Sequence, residues 1–338
     1  MKTIEEGNVR IEVPDVDMPG EGEVFYNPHM ALARDISFCI YSQFEGTMCD
    51  ALAASGVRGL RLSPKLKVTM NDANCNAAEL MRKNAKLNNA DVEVLAQNAN
   101  ALLSERRFDI VDLDPFGSPV PFLDNACRSA KKILGICATD TPPLTGVWPK
   151  VCERRYLAKP LHSEYLKEFA VRILCGYAVR NAAKYDIALR PIFVHSTRHY
   201  FRAYFEVDHG AEKANELLES IGTWRDGKKG PESDFGPVWL GELWDAAVVD
   251  RAIEIAETSK LAKPEQALKL LRMIKDEIGA PIFYQDVHGI CAECKMSPVP
   301  METLLPLIQG VRTHFSPTAV KTSLSREKIA EVIRKIAR

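Results

Sequence analysis

From Gly46 to Asp140 the sequence alternates at short intervals between strand-like and helix-like stretches, and this alternation limits the fold more than any other feature. "GTMCDALAAS" is apolar and breaks at Gly56. "KVTMND" reads as a short strand, and "ANCNAAELMRKNAKLNN" as a helix with Ala, Leu and Met on one side. "VEVLAQN" and "ANALLSERR" repeat the unit, as do "FDIVDLD" and "VPFLDNACRSA", and "KILGICATD" closes the run with another strand. Such a β-α repeat predicts a parallel sheet covered by helices on both faces. "SEYLKEFAVRILCGYAVRNAAKY" is a longer amphipathic helix. The tandem strands "IALRPIFVHST" and "HYFRAYFEVD" then predict a mixed edge to the sheet.

"RDGKKGPESDFGPVWLGELW" breaks the pattern with Gly, Pro and charge, which places a connection and domain boundary near Gly236. Beyond it the sequence predicts helices over "LWDAAVVDRAIEIAETS", "PEQALKLLRMIKDEI" and "PVPMETLLPLIQ". The last helix is "SLSREKIAEVIRKIAR", capped by Ser323 or Ser325.

The net charge of -1 carries no overall nucleic-acid signature, but it hides strong blocks. Lys150 to Arg202 holds eleven Lys/Arg against four Asp/Glu, and Arg312 to Arg338 seven against two; Glu206 to Glu257 is acidic, with five against thirteen. These blocks are either solvated helix faces or local docking fields. Nothing resembles a signal peptide, and no stretch reaches the roughly 20 apolar residues of a membrane span. Nine scattered cysteines, an odd number, point to a reducing, cytoplasmic setting. Cys291 and Cys294 form a lone C-x-x-C that His288 and His314 complete only on paper, so no metal site is expected.

Ligands in open α/β sheets sit beyond the carboxyl ends of the strands, so those ends carry the chemistry. The first is "DALAASGVRGLR", Asp50 to Arg61, where Gly56 and Gly59 let backbone approach a ligand or simply make the turn. It is not G-x-G-x-x-G, so no dinucleotide pyrophosphate site is written there. The second ends in Asp72, which fits the two hydroxyls of a ribose or the cap of a helix. The third ends in "QNAN", where Asn98 accepts from an adenine amino group and the Ala99 amide donates to the ring. Adenosine without a pyrophosphate points to S-adenosylmethionine rather than a nicotinamide cofactor.

The fourth end is "DIVDLDPFGSP". Asp112 and Asp114 share a strand face, and Pro115 bends the chain out of the sheet. The turn aims the Asp114 carboxylate and the Pro115 carbonyl into one space, with Phe116 as a flat wall. Alone, D-P-F-G reads first as a plain turn. After three adenosine-type ends, two acceptors and a ring fit the exocyclic amino group of a planar base. Holding both N–H bonds turns the nitrogen lone pair toward an electrophilic methyl group.

"VFYNPHMALARD", "DALAASGVRGLR", "DLDPFGSP", "GPVWLGEL" and "RTHFSPTAVKT" occur in an order that resembles the archaeal and eukaryotic tRNA (guanine-26, N2)-dimethyltransferase family, from about Val24 to Thr322. The resemblance implies a class I S-adenosylmethionine-dependent methyltransferase domain over 1–236, Rossmann-like, with a mostly parallel seven-stranded sheet and a cofactor lid over 1–48. A smaller, mostly helical α/β domain over 237–338 would bind tRNA. It implies transfer of one or two methyl groups to the amino nitrogen of guanine 26 in tRNA, with Asp114, Pro115 and Phe116 catalytic. Phe25, Arg34, Asp50, Gly56, Arg58, Asp72, Asn98 and Ala99 would bind the cofactor, Arg34 through the methionine carboxylate. The guanine must be flipped out of its stack, and Phe116 would receive it. Arg154, Arg155, Lys159, Arg312, His314 and Lys321 are the candidate tRNA contacts. No membrane contact and no protein partner are implied, so a monomer is expected.

Two departures stand out. Asn98 occupies a position where the family usually has Asp. "LLESIGTWRDGKKGPESDF" also lacks the zinc-type cysteines of many members, so no zinc is expected there. The competing readings are another amino-group methyltransferase, acting on DNA adenine or a protein amide, and a non-catalytic RNA-binding protein on the same scaffold. A nicotinamide dehydrogenase is the weakest.

Overall fold

The computed structural model describes residues 1–15, 24–225 and 234–336. The chain opens with a hairpin of β1 (Lys2–Glu6) and β2 (Val9–Val13), not anticipated from the sequence. Alternation buries Val9, Ile11 and Val13, so these residues belong to the main core and not to a lid. A 3-10 turn (Pro28–Met30) leads into α1 (Ala31–Tyr41), with the Asn27 side chain accepting from His29 N–H at 2.9 Å.

The β-α repeat follows as β3 (Thr47–Asp50), α2 (Val57–Leu62), β4 (Lys67–Asn71), α3 (Cys75–Leu87), β5 (Val92–Leu95), α4 (Ala99–Glu105), β6 (Phe108–Leu113), α5 (Val120–Ser129) and β7 (Ala130–Ala138). Next come α6 (Thr141–Leu144), α7 (Pro149–Tyr156), α8 (Leu166–Ala183), β8 (Ile187–Thr197) and β9 (Tyr200–His209). The sheet runs β5-β4-β3-β6-β7-β9-β8. Its first five strands are parallel, and β9 is antiparallel to both β7 and β8. Strand order reverses between β3 and β6, which opens a crevice past their carboxyl ends. Asp109 fixes the other end of this pair. Its carboxylate accepts from Thr47 N–H at 2.9 Å and Thr47 Oγ1 at 3.0 Å.

The chain continues through α9 (Ala211–Leu218) to a hairpin of β10 (Ile221–Arg225) and β11 (Asp234–Trp239). The expected boundary at Gly236 falls inside β11, so it cuts an ordered strand. That strand presses on α8 at Gly176, where a Cβ would meet Trp239 N at 2.9 Å. The stretch expected to lack zinc, 217–235, runs from the end of α9 through β10 to the start of β11, and its residues 226–233 lie outside the described residues. Then come α10 (Ala246–Thr258), α11 (Pro264–Glu277), β12 (Gln285–Asp286), α12 (Val287–Glu293), α13 (Met301–Ile308), β13 (Val311–Thr313), β14 (Ser316–Lys321) and α14 (Arg326–Ile336). Helices α10 and α11 pack on α1, and Val249, Ile255, Leu271 and Ile274 join the main core. A separate core begins only with Val287 and gathers Ile290, Leu304, Val320, Ile329 and Ile333 around β12-β14-β13.

A buried polar seam joins the two parts and corrects two expectations. Lys321 lies 2.9 Å from Glu168 on α8, and Glu168 also pairs with Arg172 at 3.0 Å. His314 Nδ1 meets Glu277 at 2.6 Å, and its backbone N–H donates to the same carboxylate at 2.7 Å. Both His314 and Lys321 are sealed from solvent, so neither presents its charge to RNA phosphates. Burial alone would push the Glu168 carboxyl up, but Lys321 and Arg172 outweigh it and hold the pKa below the ordinary value.

Candidate active site

A cavity of about 550 Å³ occupies the crevice beyond β3 and β6, a size suited to a nucleoside-scale ligand. Phe25, Arg34, Asp50, Arg58, Asp114, Pro115 and Phe116 all line it. Gly56, Asp72, Asn98 and Ala99 follow β3, β4 and β5 in the chain but do not line it. Asp72 accepts from Ala54 N–H at 3.0 Å, and Ala54 does line the wall. Asn98 caps α4 through Asn100 N–H at 2.9 Å, and Ala99 is buried behind it.

The floor is a charged cluster, in which the sequence marks Asp112, Arg58 and Asp114 but not Tyr41, Ser37 or Arg202. Asp112 is fully buried and accepts from Tyr41 OH and Arg202 Nη2, with Arg58 Nη1 at 3.4 Å. Arg58 also donates to Ser37 Oγ at 2.8 Å and, through Nη2, to Asp114. Arg202 reaches the cluster from β9, where it stands in register with Cys137. A single arginine in the otherwise apolar and aromatic stretch "YFRAYF" was the available signal, since a buried arginine requires a carboxylate partner.

The cluster sets the charge state of the wall. Burial pushes Asp114 up, but Arg58, Arg202 and the Cys137 thiol together hold its carboxyl below the ordinary range. Asp114 is therefore an ionised acceptor at the cavity. Asp50 behaves oppositely. Burial and the neighbouring Asp112 charge raise its pKa to about 7, against the pull of Arg58. Its carboxylate accepts from Gly59 N–H at 3.2 Å.

The acceptor turn is clamped from the next strand. Gly117 adopts φ +97°, which a side chain would resist. Its N–H donates to Thr139 Oγ1 at 2.7 Å, and Thr139 N–H returns a bond to Gly117 O at 2.9 Å. This reciprocal pair fixes the chain just after Phe116, whose ring is left 91% exposed. Phe25 faces it edge-on, with ring centroids 6.1 Å apart.

Arg34 is buried and grips Glu6 with Nε and Nη2, both at 2.6 Å, so that edge of its guanidinium is already committed. Arg155 donates to Asp140 at 2.7 Å, while Arg154 and Lys159 are exposed; Arg312 stands on the C-terminal part, 3.7 Å from Glu302. The β8–β9 turn adds Arg198 and His199 to the cavity wall, neither singled out from the sequence. Among the described residues no three His, Cys, Asp or Glu side chains gather to hold a metal ion, and no helix is long and apolar enough to cross a membrane.

A seven-stranded sheet with this order, one antiparallel strand within it and a ligand crevice at the β3/β6 switch define a class I methyltransferase fold followed by a C-terminal domain. The chain belongs to the N2,N2-dimethylguanosine tRNA methyltransferase family, whose model matches residues 7–229 and 228–334. It is 39% identical to the tRNA (guanine(26)-N(2))-dimethyltransferase of Pyrococcus horikoshii, over 98% of each chain. Identity to the enzyme of that name from Methanocaldococcus jannaschii is 38%, again over 98% of each. The solved complex of Trm1 from Pyrococcus horikoshii with S-adenosyl-L-methionine superposes with a TM-score of 0.92 at 38% identity, covering 98% of this chain and 100% of that one.

Proposed function

We propose that the chain transfers one or two methyl groups from S-adenosylmethionine to the exocyclic amino nitrogen of guanine 26 in tRNA. The observation that carries this reading is the ionised Asp114 on a clamped turn, with the buried Pro115 behind it and the exposed Phe116 ring beside it. The names of the relatives support it.

The cavity residues fit the cofactor's charges. Asp50 is a buried acid short of a cation and suits the methionine ammonium. Arg34, through the part of its guanidinium that Glu6 does not hold, suits the carboxylate. Asp72 and Asn98, which follow β4 and β5, are assigned to the ribose and the adenine. When bound, S-adenosylmethionine supplies an electrophilic methyl group on a sulfonium. Asp114 accepts one N–H of the guanine amine and would take its proton as the nitrogen–methyl bond forms and the methyl–sulfur bond breaks, leaving a neutral thioether. The Pro115 carbonyl accepts the other N–H. Phe116 stacks on the flipped base, with Phe25 closing its edge.

Incubating the protein with S-adenosylmethionine and unmodified tRNA, then digesting to nucleosides, tests the reading. N2-methyl- or N2,N2-dimethylguanosine is expected, and replacement of guanine 26 by adenine should abolish it. Absence of both nucleosides refutes the proposal.

A further inference from the structure

Trp148, between α6 and α7, leaves 56% of its surface in solvent, and Val147 beside it is equally exposed. Among the described residues, the Trp148 indole has no ring or hydrogen-bond partner. Helix α7 then presents Lys150, Arg154 and Arg155 against the single acid Glu153. Lys150 and Arg154 are exposed and form no ion pair among the described residues. This corner is tied to the catalytic turn at two points. Trp148 N–H donates to Pro142 O at 3.2 Å, two residues past the cavity-lining Asp140. At the other end of α7, Arg155 and Tyr156 both donate to Asp140 at 2.7 Å, and Tyr156 OH meets Ser118 Oγ at 2.9 Å. Ser118 directly follows the clamped Gly117. The eight residues of α7 span roughly 12 Å.

We propose that this corner is a landing surface for the substrate RNA, with Trp148 as the stacking face for an unpaired base near the target guanine and Lys150 and Arg154 as phosphate contacts. The proposal rests on the tRNA reading above. A flat aromatic face with unpaired cations around it matches the two elements of single-stranded nucleic acid, its bases and its phosphates. A protein partner would instead call for a wider apolar area; among the described residues, Val147 beside Trp148 and Leu157 at the opposite end of α7 are the large apolar side chains exposed along this corner. The bonds to Asp140 and Ser118 hold the landed strand in a fixed relation to Asp114.

The test measures tRNA binding by the full chain at two salt concentrations, alongside cofactor binding, kcat and KM. W148A is expected to weaken tRNA binding and raise KM tenfold or more, with kcat and cofactor affinity unchanged; W148F should keep most of the affinity. The double variant K150Q/R154Q should flatten the salt dependence by about two phosphate contacts. Binding by W148A within twofold of wild type overturns the proposal. So does self-association of the wild type that W148A releases, which would assign the face to a second copy of the chain. If the wild type methylates no tRNA, the underlying reading fails separately, and the binding measurement still decides the surface.

Discussion

Arg58 donates through Nη2 to Oδ2 of Asp114, so the carboxylate at the cavity wall is already held by a buried cation. That cation keeps the acid ionised and aimed, while one face stays open to the cavity. Asp114→Ala should lower the methylation rate by roughly 10²–10⁴-fold. Cofactor affinity should change only a few-fold, because Asp50 and Arg34 remain. Single-turnover rates beside calorimetric cofactor binding check this; equal loss of both would remove the role assigned to Asp114.

Phe116 exposes 91% of its surface, so its removal takes almost nothing from the core. Phe116→Ala should leave unfolding free energy within about 0.5 kcal/mol of wild type. It should cost about 1–3 kcal/mol in tRNA transition-state binding. Thermal melts and kcat/KM for tRNA separate the two effects.

Asp50 gives a pH dependence of definite sign. Its carboxyl is raised to about 7, so below that pH it holds a proton and above it carries charge. A cationic ligand prefers the charged form, so cofactor affinity should rise with pH up to about 7 and level off above it. Asp50→Asn should flatten the profile. The free protein responds in the opposite direction. An acid whose folded pKa lies above its unfolded value removes stability as pH climbs from the ordinary carboxylate range toward 7. Calorimetric titrations across this range, with denaturant midpoints beside them, read both signs.

Lys321 and Arg312 come from the same basic block but should behave differently. Lys321→Met strips a buried cation from Glu168 and Glu277 and should cost about 3–5 kcal/mol of stability. Arg312→Ala, at a half-exposed side chain, should stay within about 0.5 kcal/mol. Urea unfolding of the two variants makes the comparison.

The contrast shows where the sequence could be read. Asp114, Pro115, Phe116 and Gly117 are neighbours in the chain, so their joint geometry follows from local rules about strands, proline and glycine. The β-α repeat was legible for the same reason, because its periodicity is local. Arg202 joins Asp112 across ninety residues, and only the register of β9 on β7 brings them together. His314 and Lys321 lie within a recognisable motif, yet nothing in the motif says that β13 and β14 fold against Glu277 and Glu168. The β10–β11 hairpin resembles a connection in sequence because its Gly-Pro and charged residues mimic one. The β1–β2 hairpin is short, and its apolar residues only acquire meaning against α2 and α3.

Asp35 on α1 accepts from Arg61 at 2.6 Å and from the backbone N–H groups of Ala262 and Lys263 at 3.0 and 2.6 Å. Arg61 and Arg34 both reach Glu6. A nascent chain therefore cannot complete the support beneath the cofactor-side arginine until the segment around residue 263 has left the ribosome. A fragment stopping at residue 236 would keep every strand of the large sheet, yet it would uncover the part of α1 on which α10 and α11 pack and leave Asp35 without two of its donors.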